Sequence, residues 1–247
     1  MDNYLQDLVL AGVKWELTDV SVGFMEMVAH ANAPAPARTR TATVVPPISP
    51  ASPMDIDTAV AMSLRPTTMD ALVRMIGEFN HPLRAGATNV VAPHVATNPN
   101  GLVIITDIPS ADDDASGNIL SGAPGELLDK MLGAIGMSRE NVSIVPLMFW
   151  RTPGGRTPTQ IEMDLARPFI NRAIELLEPR VILTLGTLAA SAIAGVDLMK
   201  SLGADTVIQN DIHVVPIYHP NYLILKPTAK APVWTALQNV QKMLKSA

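Results

Sequence analysis

The stretch Asp211-Ile-His-Val-Val-Pro-Ile-Tyr-His-Pro-Asn-Tyr222 sets the architecture that the rest of the chain follows. Its apolar run, Ile212–Ile217, predicts a short strand. The strand must end near His219, because the proline after it cannot donate to a sheet ladder and disfavours helix at the preceding residue. His219 is therefore predicted on a loop at the strand's end, which is where ligands bind in open α/β sheets. The alternative is a histidine that caps a turn or packs in the core.

Outward from this stretch, apolar runs alternate with helical patterns. A continuous apolar run at 102–105 predicts a strand that is buried on both faces, and the largely apolar segments 142–149 and 181–185 predict two further strands. The amphipathic segments beside them predict helices, at 127–135, 160–177, 187–194 and 230–245. This alternation favours right-handed crossovers and a parallel sheet with helices on both sides. We therefore predict an α/β fold, a three-layer α/β/α structure with a short central parallel sheet.

Composition divides the chain into three parts. Residues 1–30 carry apolar side chains at helical spacing and predict an N-terminal helical segment, a candidate surface for a protein partner. Residues 31–66 are rich in proline, alanine, serine and threonine, and they predict an extended linker because such a composition buries too little apolar surface to fold. A helix-start signal around Thr68 opens the main domain, residues 67–247.

The composition also excludes several kinds of site. Of 247 residues, 48% are hydrophobic and 17% are charged, as in globular proteins, and none is cysteine. Disulfides, thiolate nucleophiles and cysteine-ligated zinc or iron–sulfur sites are therefore excluded. No run approaches the ~18 apolar residues of a membrane span, and the N-terminus lacks the basic region of a signal peptide, so we expect a cytoplasmic protein. The net charge of −5 argues mildly against a dedicated nucleic-acid binder, although local patches can override it.

The loops after the predicted strands meet at one edge of the sheet. Asp107 comes directly after its strand, and the acidic run 112–114 follows. A Mg²⁺ site in that run is disfavoured against a solvated turn, because adjacent side chains rarely converge. Arg151 and Arg156 flank a Gly-rich turn, which suits phosphate or carboxylate contacts, with solvated surface arginines as the alternative. Gly186 opens a helix whose free N–H groups can bind an anion.

Short motifs in and around these loops occur in a distinctive order. They are Thr106-Asp-Ile-Pro-Ser110, the segment 117–132, Trp150-Arg-Thr-Pro-Gly-Gly-Arg-Thr-Pro158, Leu185-Gly-Thr-Leu-Ala-Ala190, Tyr218-His-Pro-Asn-Tyr-Leu223 and Lys230-Ala-Pro-Val-Trp234. In order and spacing they resemble the uracil-DNA glycosylase superfamily, closest to its family-4, phage-polymerase-related type. The resemblance runs from about residue 67 to the end of the chain.

The resemblance implies a DNA N-glycosylase of base-excision repair, which flips uracil out of the base stack and cleaves its N-glycosidic bond. It implies that His219 stabilises the charge that grows on the uracil oxygen, and that Asp107 positions or activates the attacking water. The implied substrate-binding residues are Pro109, Leu120, Pro146 and Asn221. The implied DNA-binding residues are Arg151, Arg156, Tyr222 and Lys230. The expected partner is DNA, either uracil-containing or single-stranded.

The chain also departs from the motifs of that family. Leu120 stands where the family stacks a phenylalanine on uracil, and Pro146 stands where its uracil-reading asparagine follows the second strand. Stacking and base reading are therefore both weakened. Thr106 replaces the first glycine of the water-positioning loop. The family's cluster cysteines are absent, with His81 and Trp150 at two of their places, so we expect no cofactor and no iron–sulfur cluster of the family's kind.

Three functions stay open on the sequence alone. The first is a uracil-DNA glycosylase-like hydrolase that works with Asp107 and His219. The second is a degenerate member that binds nucleic acid or a protein partner without excising bases, and the losses at Leu120 and Pro146 favour it. The third, more distant, is an α/β enzyme for a different small substrate. Base release separates the first from the second, and steeply salt-dependent binding to abasic or single-stranded DNA separates the second from the third.

Overall fold

A five-stranded sheet forms the centre of the computed structural model, which describes residues 53–245. The strands are β1 Leu102–Thr106, β2 Ser143–Pro146, β3 Val181–Leu185, β4 Thr206–Ile208 and β5 Ile212–Ile217. Their spatial order is β2-β1-β3-β5-β4, with every neighbouring pair parallel except β4 and β5. The non-consecutive neighbours require crossover connections, and helices supply them.

The helices that cover the sheet begin at recognisable signals. They are α1 Pro53–Ser63, α2 Met69–Glu78, α3 Ala111–Ser116, α4 Gly122–Ala134, α5 Gln160–Leu177, α6 Thr187–Ala194, α7 Leu198–Ser201, α8 Pro220–Leu225 and α9 Lys230–Lys245. The longest, α5, starts at a capping box in which the Thr159 hydroxyl accepts from the Glu162 N–H and the Glu162 carboxylate accepts from the Thr159 N–H. Within residues 53–245, no helix combines the length and apolarity needed to cross a membrane.

The sheet separates two apolar cores. In β1 all five residues are buried, and they alternate between the cores as expected for a strand covered on both faces. Val103 and Ile105 pack with residues of α1, α2, α5 and α6, whereas Leu102 and Ile104 pack with residues of α4, α8 and α9. The predicted three-layer α/β/α arrangement around a short, mostly parallel sheet is therefore confirmed.

Five elements differ from the sequence-based expectation, and three of them are the short helices α3, α7 and α8, for which no helix was predicted. The helix α1 lies inside the range 31–66 for which a linker was predicted; it packs against α5, and Ala59 is fully buried. After α1, the Arg172 guanidinium donates to the Pro66 carbonyl at 3.0 and 2.8 Å, which also fixes this segment to α5. The antiparallel edge strand β4 was not predicted at all. The predicted helical segment 1–30 and the linker up to residue 52 lie outside the described residues.

Candidate active site

A cleft of about 560 Å³ opens where β1 and β5 end. Parallel strands present their carboxyl ends at one edge of a sheet, and therefore the loops after β1, β2 and β5 meet there. Seven of the predicted site residues line the cleft, namely Asp107, Pro109, Leu120, Arg151, His219, Asn221 and Tyr222. Three others, Pro146, Arg156 and Lys230, are not among its lining residues.

The carboxylate of Asp107 is held against the N-terminus of α6. Its Oδ1 accepts a hydrogen bond from the Ala189 N–H at 2.7 Å. Gly186 precedes the helix with a φ of 104°, and a Cβ at this position would overlap the carboxylate, so the approach requires glycine. The anion that the sequence predicts at this helix start is thus the protein's own carboxylate.

Burial raises the pKa of Asp107 to about 6, and hydrogen bonds from the backbone of Ala189 and Leu188 oppose this rise only in part. The group is therefore mostly ionised at neutral pH, yet it is more basic than an ordinary carboxylate. A pKa close to the working pH suits a general base.

His219 faces the same cleft and also caps α8. Its Nδ1 accepts from the Asn221 N–H at 3.2 Å, and its Nε2 lies 3.1 Å from Oγ1 of Thr106. Burial lowers the pKa of His219 to about 4, against the opposing effect of the Asp113 charge. The imidazole is therefore neutral at physiological pH. Because Nδ1 accepts a backbone N–H, the single ring proton must lie on Nε2.

One wall of the cleft contains a residue in an unusual backbone conformation. Leu120 is buried, with a φ of 52°, a conformation that costs an L-residue about 1 kcal/mol. Its carbonyl accepts from the Arg139 guanidinium at 3.0 Å. Gly125 of α4 leaves room for that carbonyl, since a Cβ there would overlap it. The surrounding structure thus holds an aliphatic side chain, without an aromatic face, at the wall of the cleft.

The acidic run after β1 has structural contacts. Asp113 accepts from the N–H groups of Ser110 and Ser121, at 2.9 and 2.6 Å. Asp114 accepts from the N–H of Thr88 at 2.9 Å, and Asp112 is exposed at the cleft. No group of three or more His, Asp or Glu residues that could hold a metal ion occurs within residues 53–245. The carboxylates of this run therefore mainly cap α3 and hold neighbouring loops together through hydrogen bonds.

The two arginines of the Gly-rich loop have different surroundings. Arg151 lines the cleft, and its buried Nε has no hydrogen-bond partner among the described residues. Arg156 instead makes a bidentate ion pair with the buried Glu162, at 2.8 and 2.6 Å. This pairing holds the pKa of Glu162 at about 2. Arg151 is thus the arginine available to a ligand in the cleft, whereas Arg156 fixes the loop to the start of α5.

The rim of the cleft near α8 combines aromatic, apolar and basic groups. The rings of Tyr218 and Tyr222 lie 4.7 Å apart, and Nζ of Lys226 lies 5.5 Å from the Tyr222 ring centre. Leu225, which also lines the cleft, has 74% of its surface exposed. Lys230 lies at a separate apolar groove between α4 and α9.

Comparison with known proteins agrees with this geometry. The family model of the uracil DNA glycosylase superfamily matches residues 93–241, which include every residue that lines the cleft. The chain belongs to this superfamily. The type-4 uracil-DNA glycosylase of Archaeoglobus fulgidus is 30% identical over 170 residues, which are 65% of this chain and 85% of the relative. That of Thermotoga maritima is 32% identical over 146 residues, 58% of this chain and 76% of the relative. The resemblance predicted from the motifs is confirmed.

His81 and Trp150, which the motif resemblance puts at two places of the family's cluster cysteines, form a buried pair of rings. His81 and Trp150 stack with ring centres 4.5 Å apart and planes 9° from parallel, and both are buried. Both nitrogens of His81 have backbone partners, since Nδ1 accepts from the Leu83 N–H at 3.1 Å and Nε2 lies 3.0 Å from the Glu162 carbonyl. With no thiolate in the chain and no free imidazole nitrogen here, these residues do not fit an iron–sulfur cluster.

Sequence reasoning missed two groups at this site. Thr106 was noted only as a substitution, but its hydroxyl contacts the imidazole of His219. Leu225 was not among the predicted site residues, but it is a highly exposed apolar residue at the cleft rim. A polar residue at the end of a buried strand was an available signal for Thr106. Pro146, predicted to lie in the substrate site, is buried at the end of β2 in register with Thr106.

Proposed function

We propose that this superfamily member is a uracil-DNA glycosylase, which hydrolyses the bond between uracil N1 and deoxyribose C1′ in DNA as the first step of base-excision repair. The observation that carries the proposal is that a basic carboxylate, Asp107, and a neutral imidazole, His219, face one cleft. The relatives named type-4 uracil-DNA glycosylase support the same reaction.

The two groups suit the two charges that develop in this reaction. The C1′–N1 bond breaks, its electron pair leaves with the base, and a water oxygen bonds to C1′. Asp107, ionised above its raised pKa, orients that water and accepts its proton. His219, being neutral, carries a proton on Nε2 that it can donate to the base oxygen where negative charge grows. A cationic imidazole is not needed, and its lowered pKa makes one unfavourable.

The cleft rim offers contacts that suit DNA with an extruded base. Arg151 has an unpaired, buried Nε and lines the cleft, so it is the proposed contact for a phosphate next to the flipped nucleotide. The exposed Leu225 is suited to insert into the space that the base leaves, as apolar wedges do in unstacked duplexes. Asn221 and Tyr222 stay proposed contacts from the same rim.

A second candidate function is binding without excision. Two observations favour it. Both ring nitrogens of His219 already have protein partners, and Pro146 supplies no amide to read the polar edge of uracil. A protein of this kind would hold single-stranded or abasic DNA in the cleft and release no base.

A single-turnover assay decides between the two functions. The full chain in excess is incubated with a uracil-containing single-stranded oligonucleotide, beside His219→Ala and the matched control His213→Ala. His213 pairs with Asp205 at 2.8 Å near the amino-terminal end of β5 and does not line the cleft. If the protein excises uracil through His219, abasic product forms with the wild type and with the His213 variant, but not with the His219 variant. Binding of the oligonucleotide without product from any of the three establishes the second function instead.

A further inference from the structure

The hydrogen bonds of His219 determine which ring nitrogen carries its single N–H proton and which group accepts from it. Its Nδ1 accepts the Asn221 N–H, so the proton is on Nε2, and Nε2 lies 3.1 Å from Oγ1 of Thr106. The imidazole must therefore be the donor and the threonine hydroxyl the acceptor. In the free protein the Nε2–H of His219, the donor available to a ligand in the cleft, is therefore already hydrogen-bonded to Thr106.

Thr106 is fixed in the position from which it makes this contact. It is the last residue of β1 and is only 4% exposed. Its carbonyl accepts from the Leu147 N–H at 2.8 Å, and its Cα is in register with Leu185 of β3. It does not line the cleft, whereas His219 does. The backbone of β1 thus fixes the hydroxyl beside the imidazole, and only the imidazole lines the cleft.

We propose that Thr106 is a positioning and specificity-determining residue, whose hydroxyl holds the Nε2–H of His219 in the free protein and competes for it with the carbonyl oxygen of the base. This inference rests on the proposed function for the identity of the ligand oxygen. A neutral carbonyl and a neutral hydroxyl are comparable acceptors. Replacing the Thr106 hydroxyl by the base carbonyl as the partner of the Nε2–H therefore adds little to ground-state binding. An oxygen that gains negative charge is a much better acceptor, and as the bond breaks it replaces Thr106 as the acceptor of the hydrogen bond from the Nε2–H of His219.

The competition has a specific kinetic consequence. If valine replaces Thr106, the Nε2–H has no protein acceptor, and a base oxygen gains a full hydrogen bond in the ground state and in the transition state alike. The dissociation constant for the uracil oligonucleotide should fall about fivefold. The maximal single-turnover rate should change by less than about twofold, because both states gain equally. A variant that merely disturbs the fold would raise the dissociation constant or lower the rate.

The first measurement uses the free protein and needs no activity. Long-range ¹H–¹⁵N correlation spectra of the ¹⁵N-labelled full chain are recorded for the wild type, Thr106→Val and Thr106→Ser. We expect His219 to carry its proton on Nε2 in the wild type, with the Nε2 signal displaced in the valine variant and restored in the serine variant. A proton on Nδ1, or a signal that valine leaves unchanged, overturns the inference.

The second measurement compares binding of two oligonucleotides by anisotropy, one with uracil and one with a tetrahydrofuran abasic analogue that lacks the base oxygen. Thr106→Val should tighten binding of the uracil strand and not of the abasic strand, and Thr106→Ser should restore the wild-type ratio. Equal effects on both strands, or none, refute the competition. If no variant excises uracil while this binding pattern is seen, the proposed glycosylase activity fails and the role of Thr106 stands.

Discussion

Replacing Asp107 by asparagine should make the protein more stable while it abolishes excision. The carboxylate is partly buried, and burial raises its pKa from the ordinary 3.8 to about 6. Asparagine has nearly the same shape and keeps an oxygen for the Ala189 N–H, but it carries no charge to desolvate. The same substitution removes the proton acceptor that the proposed reaction needs.

The size of the stabilisation follows from the pKa values, and its sign depends on pH. Below about pH 3.8 the carboxyl group is neutral in both the folded and the unfolded chain, so it costs nothing. Between 3.8 and about 6 only the unfolded chain ionises, and the free energy of unfolding falls as pH rises. At about 1.4 kcal/mol per pH unit, the full difference is about 3 kcal/mol and is reached above the folded pKa of about 6. The Asp107→Asn variant has no carboxyl group at this position, so its free energy of unfolding does not fall in this way as pH rises.

Urea denaturation at pH 8 and at about pH 4 measures the effect. We expect the variant to exceed the wild type by about 3 kcal/mol at pH 8 and by little at pH 4. The control is Asp112→Asn, since Asp112 lines the same cleft but is exposed, and it should change stability by less than about 0.5 kcal/mol at either pH. A variant that is less stable than the wild type at pH 8 would refute the reasoning, because the carboxylate would then be net stabilising.

In the wild type, the single-turnover rate should fall as pH drops through about 6.

Three further predictions concern the support of the site. Gly186→Ala should lower the stability by more than about 2 kcal/mol and abolish the proposed excision, because the added Cβ would displace the Asp107 carboxylate. Gly195→Ala, also at positive φ but with nothing near its Cβ, should lower the stability by only about 1 kcal/mol in thermal unfolding. Arg151→Ala should weaken oligonucleotide binding and reduce the slope of log K against log salt concentration by about 1. Arg156→Ala should instead lower the free energy of unfolding by about 2 kcal/mol, because the buried carboxylate of Glu162 loses its partner. His81→Ala should lower the urea midpoint and change tryptophan fluorescence, because it removes a ring stacked on a buried indole.

The fold was predictable because its strands carry a strong signal. The run at 102–105 is continuously apolar and the strand Val181–Leu185 is interrupted only by Thr184, and the structure buries every residue of β1 and β3. Such runs fit a sheet covered on both faces and little else. The loops at the carboxyl ends of parallel strands must meet, which is why the sequence alone places Asp107 and His219 at one edge of the sheet.

The missed elements lack such signals. β4 has three residues, none of them buried, and it only extends an edge, so no periodicity marks it. The helix α1 follows a proline-rich stretch whose composition predicts a linker, and it is held by contacts with α5 that are distant in sequence. The ion pair of Arg156 was not predicted for the same kind of reason, since its partner Glu162 is brought next to it only when the loop folds back on α5.

The chemistry of the cleft and its cost in stability have one physical cause. Burial disfavours the charged form of both groups, and it therefore raises the pKa of Asp107 and lowers that of His219. For His219 the lowered pKa suits the proposed reaction directly, because that reaction uses a neutral imidazole as the hydrogen-bond donor to the leaving base. For Asp107 the effect opposes the ionised form, and the N–H groups at the start of α6 recover only part of the loss. The close approach that makes this recovery possible depends on the absent Cβ at Gly186. The sequence therefore has to keep glycine at that turn for as long as it keeps a working carboxylate in the cleft.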